Sequence, residues 1–351
     1  MDPQGAIGQD IDQQGTNQQL APEYTPPRRN VTVFIIIGAV FLIVLVVTSV
    51  IFLLTRTKTS TSGSQGDTST LTPQPSPTFY ELLGTDIQTQ EGKLNQIGND
   101  IRELEAVFAY ESVNFSDVLT PPPAQTPEWE AQKTEIAKAR AELEIDRRIA
   151  TLDKLGPKVS SSEKLSTAQK SQLSNEVDLE VASLSSLKAR ILGQTSFNAL
   201  AAEINILSES FKNYQVLAPK VLIMVIADRI NASGDSFTVI ADKLAQKIGE
   251  LHALEKNVND VQKALGHMLF VLGDSANKGE SAVVLVLPLS SSEYPKNKSI
   301  LLDAKGKIQA SHKNLSLALS DAKNILNNLL AIESGKEPSR SFFQLFPLFR
   351  L

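Results

Sequence analysis

Hydrophobic residues follow two different patterns along this chain. Residues 31–54 form a continuous apolar run without a charged side chain, whereas from about residue 79 onward apolar residues recur every three or four positions. As a helix with about 1.5 Å rise per residue, the apolar run would be roughly 36 Å long, enough to cross a hydrocarbon core of about 30 Å with some tilt. We therefore predict a transmembrane helix at residues 31–55.

The residues on either side of this run bear on its processing and orientation. The run is longer than the roughly 7 to 15 apolar residues of a cleaved signal peptide, and no small-residue cleavage site follows it, so we expect an uncleaved signal anchor. Each flank carries two Lys or Arg residues, so the positive-inside rule gives no preference. Residues 1–30 resemble a disordered cytoplasmic tail, and residues 56–78 resemble the Ser/Thr/Pro-rich linkers found outside the cytoplasm. We therefore predict a single-pass protein of the cell membrane, with a cytoplasmic N-terminus and an extracytoplasmic C-terminal domain.

The three- and four-residue spacing predicts long helices that pack against one another. It indicates six helices of about 25 to 38 residues joined by short loops. The first and last stripes consist of Ile87, Leu94, Ile97, Ile101, Leu104 and Phe108, and of Leu301, Ile308, Leu315, Leu319, Ala322, Leu326 and Leu329. The second helix has Trp129, Ile136, Leu143, Ile149 and Leu152 on its predicted inner face.

Local signals predict where the middle helices begin. Thr126 is expected to cap the second helix, and the Gly-Pro pair at residues 156–157 to end it. Two capping boxes compete for the start of the third helix, Ser160 with Glu163 and Ser166 with Gln169. Either box leads into the same helix.

Glycine and proline predict further boundaries. Gly193 is expected to end the third helix in a left-handed conformation, and Pro219 to kink or break the fourth. A fifth helix is expected from about Asp235 to Leu265. Residues 283–287 could form a strand, but a single strand would have no partner.

These patterns predict an all-α fold: a single transmembrane helix followed by an elongated antiparallel helical bundle or stacked helical hairpins, resembling a coiled coil. The helical ectodomain would occupy residues 79–334, and an aromatic C-terminal tail residues 335–351. The apolar run at 221–227 is too short to span a bilayer, so we expect it to be a buried core segment.

Composition narrows the possible functions. The net charge is −5 and the chain shows no basic concentration, which argues against nucleic-acid binding. The absence of cysteine excludes a disulfide framework, a thiolate metal site and a cysteine nucleophile. Because large eukaryotic ectodomains usually carry disulfides, a bacterial source is favoured.

No arrangement of residues indicates catalysis. His252, His267 and His312 stand alone in the sequence, and two Gly-Asp-Ser triplets, at 234–236 and 273–275, are explained as helix caps or turns. No glycine-rich phosphate-binding motif occurs. We therefore expect no enzymatic activity, no catalytic residue, no cofactor and no metal site.

Two charge pairs with i,i+4 spacing, Glu144 with Arg148 and Asp303 with Lys307, are expected on solvated helix faces. Such pairs contribute only about 0.2–0.5 kcal/mol each. They carry no functional prediction.

The C-terminal sequence SFFQLFPLFRL is the most unusual segment, because it concentrates apolar and aromatic residues after a Gly and Pro break. We predict that Phe342, Phe343, Phe346 and Phe349 form an interaction site. Three alternatives remain: this tail folds back onto the bundle, it binds the membrane interface or a partner, or it is disordered.

Four segments resemble a known group of proteins: IDRRIATLDKL (145–155), SSSEKLSTAQKSQL (160–173), APKVLIMVIADRI (218–230) and LPLSSSEYPKNKSILLDAKGKIQ (287–309). In these segments the chain resembles uncharacterised, membrane-anchored, extracytoplasmic helical proteins of candidate-phylum bacteria. The resemblance covers about half of the chain, residues 145–330. It implies a bacterial source and an extracytoplasmic helical domain, and it brings no assigned activity.

The leading hypothesis is a non-enzymatic, single-pass envelope protein whose helical ectodomain is a spacer or protein-interaction module. Its expected partners are the lipid bilayer and proteins, including further copies of itself. One alternative is a ligand-sensing ectodomain or co-receptor. Another is a cytoplasmic coiled-coil scaffold, which would require the inverted topology.

Overall fold

The computed structural model describes residues 78–120, 126–294 and 296–336, and every regular element within these ranges is helical. The α-helices are α1 (Phe79–Ala109), α2 (Ser116–Leu119), α3 (Pro127–Asp153), α4 (Leu155–Ser160), α5 (Thr167–Gly193), α6 (Phe197–Ala253), α7 (Asn259–Val286) and α8 (Lys296–Glu333). A short 3-10 helix, Ser291–Glu293, precedes α8. The all-helical prediction is confirmed for this part of the chain.

The predicted membrane anchor at residues 31–55 lies outside the described residues. Within the ranges given above, none of the helices combines the length and hydrophobicity needed to span a bilayer. The anchor therefore stays a prediction from the sequence.

Side-chain caps start the helices where local sequence indicates. Thr78 and Glu81 form a reciprocal capping box at the start of α1, and Thr126 caps α3. Of the two competing boxes, Ser166 with Gln169 begins α5, whereas Ser160 is the last residue of α4. The predicted stop at residues 156–157 is displaced, because α3 ends at Asp153 and these two residues lie in α4.

Of the two outcomes predicted for Pro219, a kink or a break, the break is wrong. The helix α6, which is 57 residues or about 85 Å long, continues through this proline. A proline inside a helix costs about 3 kcal/mol. Every residue from 216 to 228 is buried, and each large apolar side chain in this segment gains about 1.5–3 kcal/mol from burial. The free energy gained by burying these side chains therefore exceeds the free energy lost by placing Pro219 inside the helix.

The predicted fifth helix is also wrong, because α6 ends at Ala253 and α7 is a separate helix. The chain reverses through Glu255, which has a φ of 59°. The Glu255 amide donates to His252 O and the Lys256 amide to Leu251 O, the pattern of a Schellman motif. Gly193 does not adopt the expected left-handed conformation, whereas Gly335 does so after α8, with φ 70°.

The long helix α6 is shared by two bundles. Its N-terminal part packs with α3 and α5 in a three-helix bundle, where α3 runs parallel to α6 and α5 antiparallel to both. Its C-terminal part packs with α1, α7 and α8 in a four-helix bundle of antiparallel neighbours. The alternative strand at residues 283–287 is not formed, since this segment ends α7.

Candidate functional site

The four sequence-predicted interaction residues, Phe342, Phe343, Phe346 and Phe349, lie outside the described residues. Their role therefore stays a prediction. The described residues offer other places where polar chemistry is concentrated, and the most extensive of them surrounds the middle of α6.

The three histidines lie on three different helices: His252 on α6, His267 on α7 and His312 on α8. His267 Nδ1 lies 2.7 Å from Asp321 Oδ2, and His312 Nε2 lies 3.1 Å from Leu94 O. Burial raises the pKa of Asp321, although the contact with His267 lowers it in part. Within residues 78–120, 126–294 and 296–336, no three His, Cys, Asp or Glu residues converge to hold a metal ion.

Both Gly-Asp-Ser triplets lie inside helices, so the expectation of caps or turns is wrong. Ser275 is buried, and its hydroxyl donates to Ser311 O at 3.0 Å, while the Ser311 hydroxyl donates to Ser275 O at 2.7 Å. Ser236 donates to Ala232 O at 3.0 Å. These hydroxyls join α7 to α8 or bond within α6.

A cluster of charged side chains joins the two bundles at the middle of α6. We call Asp100, Lys158, Lys220, Asp228 and Arg229 the junction cluster. Asp100 on α1 is only 4% exposed and accepts hydrogen bonds from Lys158 Nζ at 2.7 Å and from Arg229. Lys158 also donates to Glu103 at 2.6 Å. Burial alone would lower the pKa of Lys158, but these two carboxylates outweigh burial and raise it.

Asp228 binds the loop that precedes α5. Its carboxylate is 3% exposed and accepts three backbone N–H groups, from Glu163 at 2.8 Å, Lys164 at 2.5 Å and Leu165 at 2.6 Å. Hydrogen bonds from backbone amides to a carboxylate are stronger than those between neutral groups. Asp228 therefore holds this loop against α6.

Lys220 on α6 contacts both α5 and the segment that follows α7. Its side chain is 3% exposed, and Nζ lies 2.9 Å from Glu176 Oε2 on α5 and 3.3 Å from Leu289 O, just before the 3-10 helix. The junction cluster thus contacts the four-helix bundle, the three-helix bundle and two connecting segments.

A second buried polar network lies within the three-helix bundle. Glu144 and Arg148 on α3 are paired at 2.6 Å and are 0% and 1% exposed, so their predicted solvated position is wrong. Arg148 Nη1 also donates to Leu207 O and to the Ser210 hydroxyl, each at 3.2 Å. By contrast, Asp303 and Lys307 do lie on a solvated face, 59% and 35% exposed and 3.8 Å apart.

Aromatic rings enclose the Glu144–Arg148 pair. The Tyr110 hydroxyl donates to Glu144 Oε2 at 2.5 Å, and the Arg148 guanidinium lies 4.7 Å from the centroid of the Phe211 ring. Burial and the adjacent Glu144 raise the pKa of Tyr110. Tyr214 packs against both rings, 5.5 Å from Tyr110 and 6.1 Å from Phe211.

The buried face of α3 differs from the inner face predicted from the sequence, because α3 is rotated about its axis to bury Glu144 and Arg148. Leu143, predicted to face inward, is 51% exposed, whereas Ala137, Ala141 and Ile145 are fully buried. Glu144 and Arg148 lie on the same buried stripe as these residues. In the sequence, Glu144 and Arg148 occur at helical spacing among the apolar residues Ala137, Ala141 and Ile145. This spacing is the one sequence signal that could have indicated that the two charged side chains are buried.

A groove of about 820 Å³ lies beside the Tyr110 and Tyr214 rings. It is lined by the C-terminal end of α1, the C-terminal end of α3, the helix α4 and one residue of α6, Tyr214. Lys154, Lys158, Thr151 and Glu103 line it together with apolar atoms. Lys158 and Glu103 are paired with each other, and the Thr151 hydroxyl donates to Arg147 O at 3.0 Å. The groove therefore combines aromatic surface with one lysine, Lys154, whose side chain is exposed.

The described residues thus concentrate buried charge at the junction and beneath the groove. Comparison of the chain with protein-family models, curated proteins and solved structures finds no match.

Proposed function

We propose that this chain is a non-enzymatic, single-pass envelope protein whose helical domain is a rigid spacer and protein-interaction module. In this proposal residues 31–55 anchor it in the cell membrane, the N-terminus is cytoplasmic, and residues 79–334 lie outside the cytoplasm. A bacterial source, as in the proteins that four segments resemble, is part of the proposal.

The continuity of α6 carries this proposal. One helix of 57 residues runs through both bundles, so the bundles cannot bend relative to one another without bending α6. Bending at the middle would also separate contacts that cross between the bundles. These are the ion pair of Lys158 with Asp100, at 2.7 Å, and the hydrogen bonds from the backbone amides of residues 163–165 to Asp228. These features support a spacer of fixed length, about 85 Å along α6.

The spacer role is tested by a distance measurement along α6. Since the chain has no cysteine, a Glu209→Cys/Gln246→Cys double variant carries spin labels only at these exposed positions. Helix geometry predicts one narrow distance distribution centred near 55 Å. A Thr238→Cys/Ala253→Cys pair within the four-helix bundle, about 22 Å apart, gives the width due to the labels alone. A distribution much broader than this control would contradict a rigid spacer.

The topology is tested by labelling intact cells with a membrane-impermeant maleimide. Ser62→Cys in the linker and Ser171→Cys on the exposed face of α5 should be labelled, whereas Thr16→Cys should be labelled only after permeabilisation. The reverse pattern would refute the envelope proposal and support the alternative, a cytoplasmic coiled-coil scaffold.

The groove beside Tyr110 and Tyr214 favours a second candidate function, a ligand-sensing ectodomain or co-receptor. Its volume of about 820 Å³ lies within the size range of small-molecule sites, about 300–1,000 Å³. A small molecule found by thermal-shift screening should stabilise the full chain. Thr151→Trp in the groove should abolish this effect, whereas Thr238→Trp on an exposed face of α6 should not. Equal stabilisation of both variants would exclude this groove as the site.

A further inference from the structure

The helix α3 carries a second line of apolar residues on the side that faces away from the three-helix bundle. Ile136, Leu143 and Ala150 are seven residues apart, and Ala139 follows Ile136 by three residues. Leu143 is 51% exposed, Ala139 and Ala150 are exposed, and Ile136 is half-buried. In the heptad notation of coiled coils, Ile136, Leu143 and Ala150 take a positions and Ala139 takes a d position. We call these four residues the outer stripe of α3.

Charged residues border the outer stripe, and its two borders have opposite signs. Glu135 and Glu142, at g positions, lie along one border, and Arg140 and Arg147, at e positions, lie along the other. Glu135 and Arg147 are exposed, and the side chains of Glu142 and Arg140 are 44% and 40% exposed. Glu135 also lies 3.7 Å from Lys138 on the same helix. Both borders are therefore accessible from solvent.

Neighbouring helices flank the outer stripe without covering it. Arg140 pairs with Asp117 on α2 at 2.8 Å, and Glu142 pairs with Lys188 on α5 at 3.0 Å. These two contacts lie on opposite borders of the stripe. The apolar side chains between them are the part of α3 that faces solvent.

The next two residues along α3 show which charges are free for a partner. Asp146 takes the d position after Ala139, and its carboxylate lies 2.8 Å from Lys188 Nζ, which directs it toward α5. Arg147 forms no ion pair with any other residue that the structure describes. Its guanidinium is therefore available to a carboxylate from outside the chain.

The opposite signs of the two borders indicate which surface fits the outer stripe. When two helices pack in parallel, each g position faces the e position of the following heptad on the other helix. In a parallel pair of α3 helices, Glu135 thus faces Arg140 of the second copy, and Glu142 faces Arg147 of the second copy. The two-fold axis makes each of these contacts twice. In an antiparallel pair, glutamate would face glutamate and arginine would face arginine.

We propose that two copies of this chain associate through the outer stripes of their α3 helices, packed in parallel about a two-fold axis. This inference rests on the proposed function, because it gives the interaction module its partner, a second copy of the chain. The helix α3 is already folded within its bundle, so association requires no helix nucleation. Since each stripe has only four apolar residues, the dimer is weak and depends on concentration.

Disulfide crosslinking of the full chain in detergent micelles tests the contact and its orientation. The chain has no cysteine, so Ala139→Cys and Ala150→Cys each introduce one thiol on the outer stripe. In a parallel pair each residue meets its own copy, so both variants should form crosslinked dimers on oxidation. Ala182→Cys, at an exposed alanine of α5, is the matched control and should remain uncrosslinked.

The two cysteine positions also distinguish the two orientations. They are about 16 Å apart along α3, and in an antiparallel pair only residues at the two-fold axis meet their own copies. Crosslinking at one position alone would overturn the parallel arrangement. Crosslinking at neither position would overturn the contact itself.

Sedimentation equilibrium of the full chain in density-matched detergent measures the strength of association. Leu143→Ser should weaken the dimer at least about tenfold, because one buried leucine is lost from each copy. Leu179→Ser, at a 72% exposed leucine of α5, should leave the dimerisation constant unchanged. Both variants should keep the circular dichroism of the native chain, since both side chains are exposed. Equal constants for the two variants would place any dimer contact elsewhere and overturn the proposal.

A charge exchange tests the pairing across the borders. Arg147→Glu places a glutamate opposite Glu142 of the second copy and should weaken the dimer, whereas Glu142→Lys/Arg147→Glu restores opposite charges and should recover it. A double variant as weak as the single one would contradict this pairing. The spin-label distance along α6 is measured within one chain. A monomeric protein with one narrow distance distribution would therefore overturn self-association while leaving the spacer role intact.

Discussion

Arg148 and Glu144, one turn apart on α3, form an ion pair at 2.6 Å although both side chains are almost completely removed from solvent. Arg148 is held further by Leu207 O and Ser210 on α6, and Glu144 by Tyr110 beyond the end of α1. This pair therefore links the three-helix bundle to the segment that enters it from the four-helix bundle.

Removing one partner of this pair should be far more damaging than removing both. Arg148→Ala leaves Glu144 buried without its cation and should lower the free energy of unfolding by about 3–5 kcal/mol. Glu144→Leu/Arg148→Met removes both charges and should cost much less, because apolar groups of similar volume often replace a buried pair at little cost. Denaturant unfolding measures both losses.

Asp303→Asn, in the exposed pair with Lys307, is the control and should change the free energy of unfolding by less than about 0.5 kcal/mol. Equal losses for the single and double variants would show that packing, and not the pair, matters at this position.

Pro219 should be dispensable for the continuity of α6. Pro219→Ala restores a helical hydrogen-bond donor worth part of the roughly 3 kcal/mol proline cost. It loses about two buried methylenes, each worth about 0.8 kcal/mol, and proline's restriction of the unfolded chain, worth about 0.4–1 kcal/mol. The unfolding free energy should therefore stay the same or rise by at most about 1 kcal/mol, with unchanged helical circular dichroism.

Val225→Pro is the matched comparison, since Val225 is also fully buried on α6. It should cost at least about 3 kcal/mol, because it removes an existing helical hydrogen bond and its ring clashes with the preceding turn. A large loss in Pro219→Ala would instead mean that the packing at the junction depends on the proline ring.

Asp228 should control the stability of the loop before α5. Asp228→Ala leaves the amides of Glu163, Lys164 and Leu165 without their acceptor. Of these three residues Leu165 is buried, and an unpaired buried amide costs about 1–3 kcal/mol, so we expect a loss of about that size. Hydrogen exchange should accelerate at residues 163–165 but not in α8. Asp242→Ala, at an exposed position on the same helix, should stay within about 0.5 kcal/mol of the native protein. Unchanged protection at residues 163–165 would show that Asp228 does not hold this loop.

Glu180 should lower stability at neutral pH. Burial raises its pKa, and the hydrogen bond with Asn213 and the charge of Arg148 offset this only in part. Its Oε1 is buried and has no hydrogen-bond partner among the described residues. The ionised form is therefore less favourable in the folded state than in the unfolded chain. The resulting penalty is absent below the unfolded pKa of about 4.3 and grows as the pH rises toward the folded value.

Glu180→Gln should therefore raise stability near neutral pH, and the gain should disappear as the pH falls through the ordinary carboxylate range. The gain should be a fraction of a kcal/mol, because the side chain is partly exposed and water screens its charge. Denaturant unfolding at several pH values measures it. Glu209→Gln, at a 73% exposed side chain, is the control. A gain that does not change with pH would indicate a packing effect instead.

The sequence predicted the helical content and several helix starts correctly, because caps act within four residues. Thr126 and the box of Ser166 with Gln169 are signals of this kind. The turn at Glu255 escaped prediction since no glycine marks its left-handed conformation. The separate helix α7 was missed for the same reason.

The candidate sites were less predictable. The sequence identified Phe342, Phe343, Phe346 and Phe349 by composition, and their role remains a prediction. It could not show that Asp228 accepts three amides, or that Asp100 pairs with Arg229, since these partners are far apart in the chain. Such contacts require knowledge of which helices are neighbours.

The sequence by itself determined that residues 79–333 favour helices with apolar stripes, because helical periodicity and capping depend on residues a few positions apart. Only the tertiary structure decided that α6 continues through Pro219 and that the Glu144–Arg148 pair is buried. Both outcomes depend on which surfaces pack around these residues. The free energy of burial and the desolvation of charge are set by those surfaces, and they outweigh the local preferences that the sequence displays.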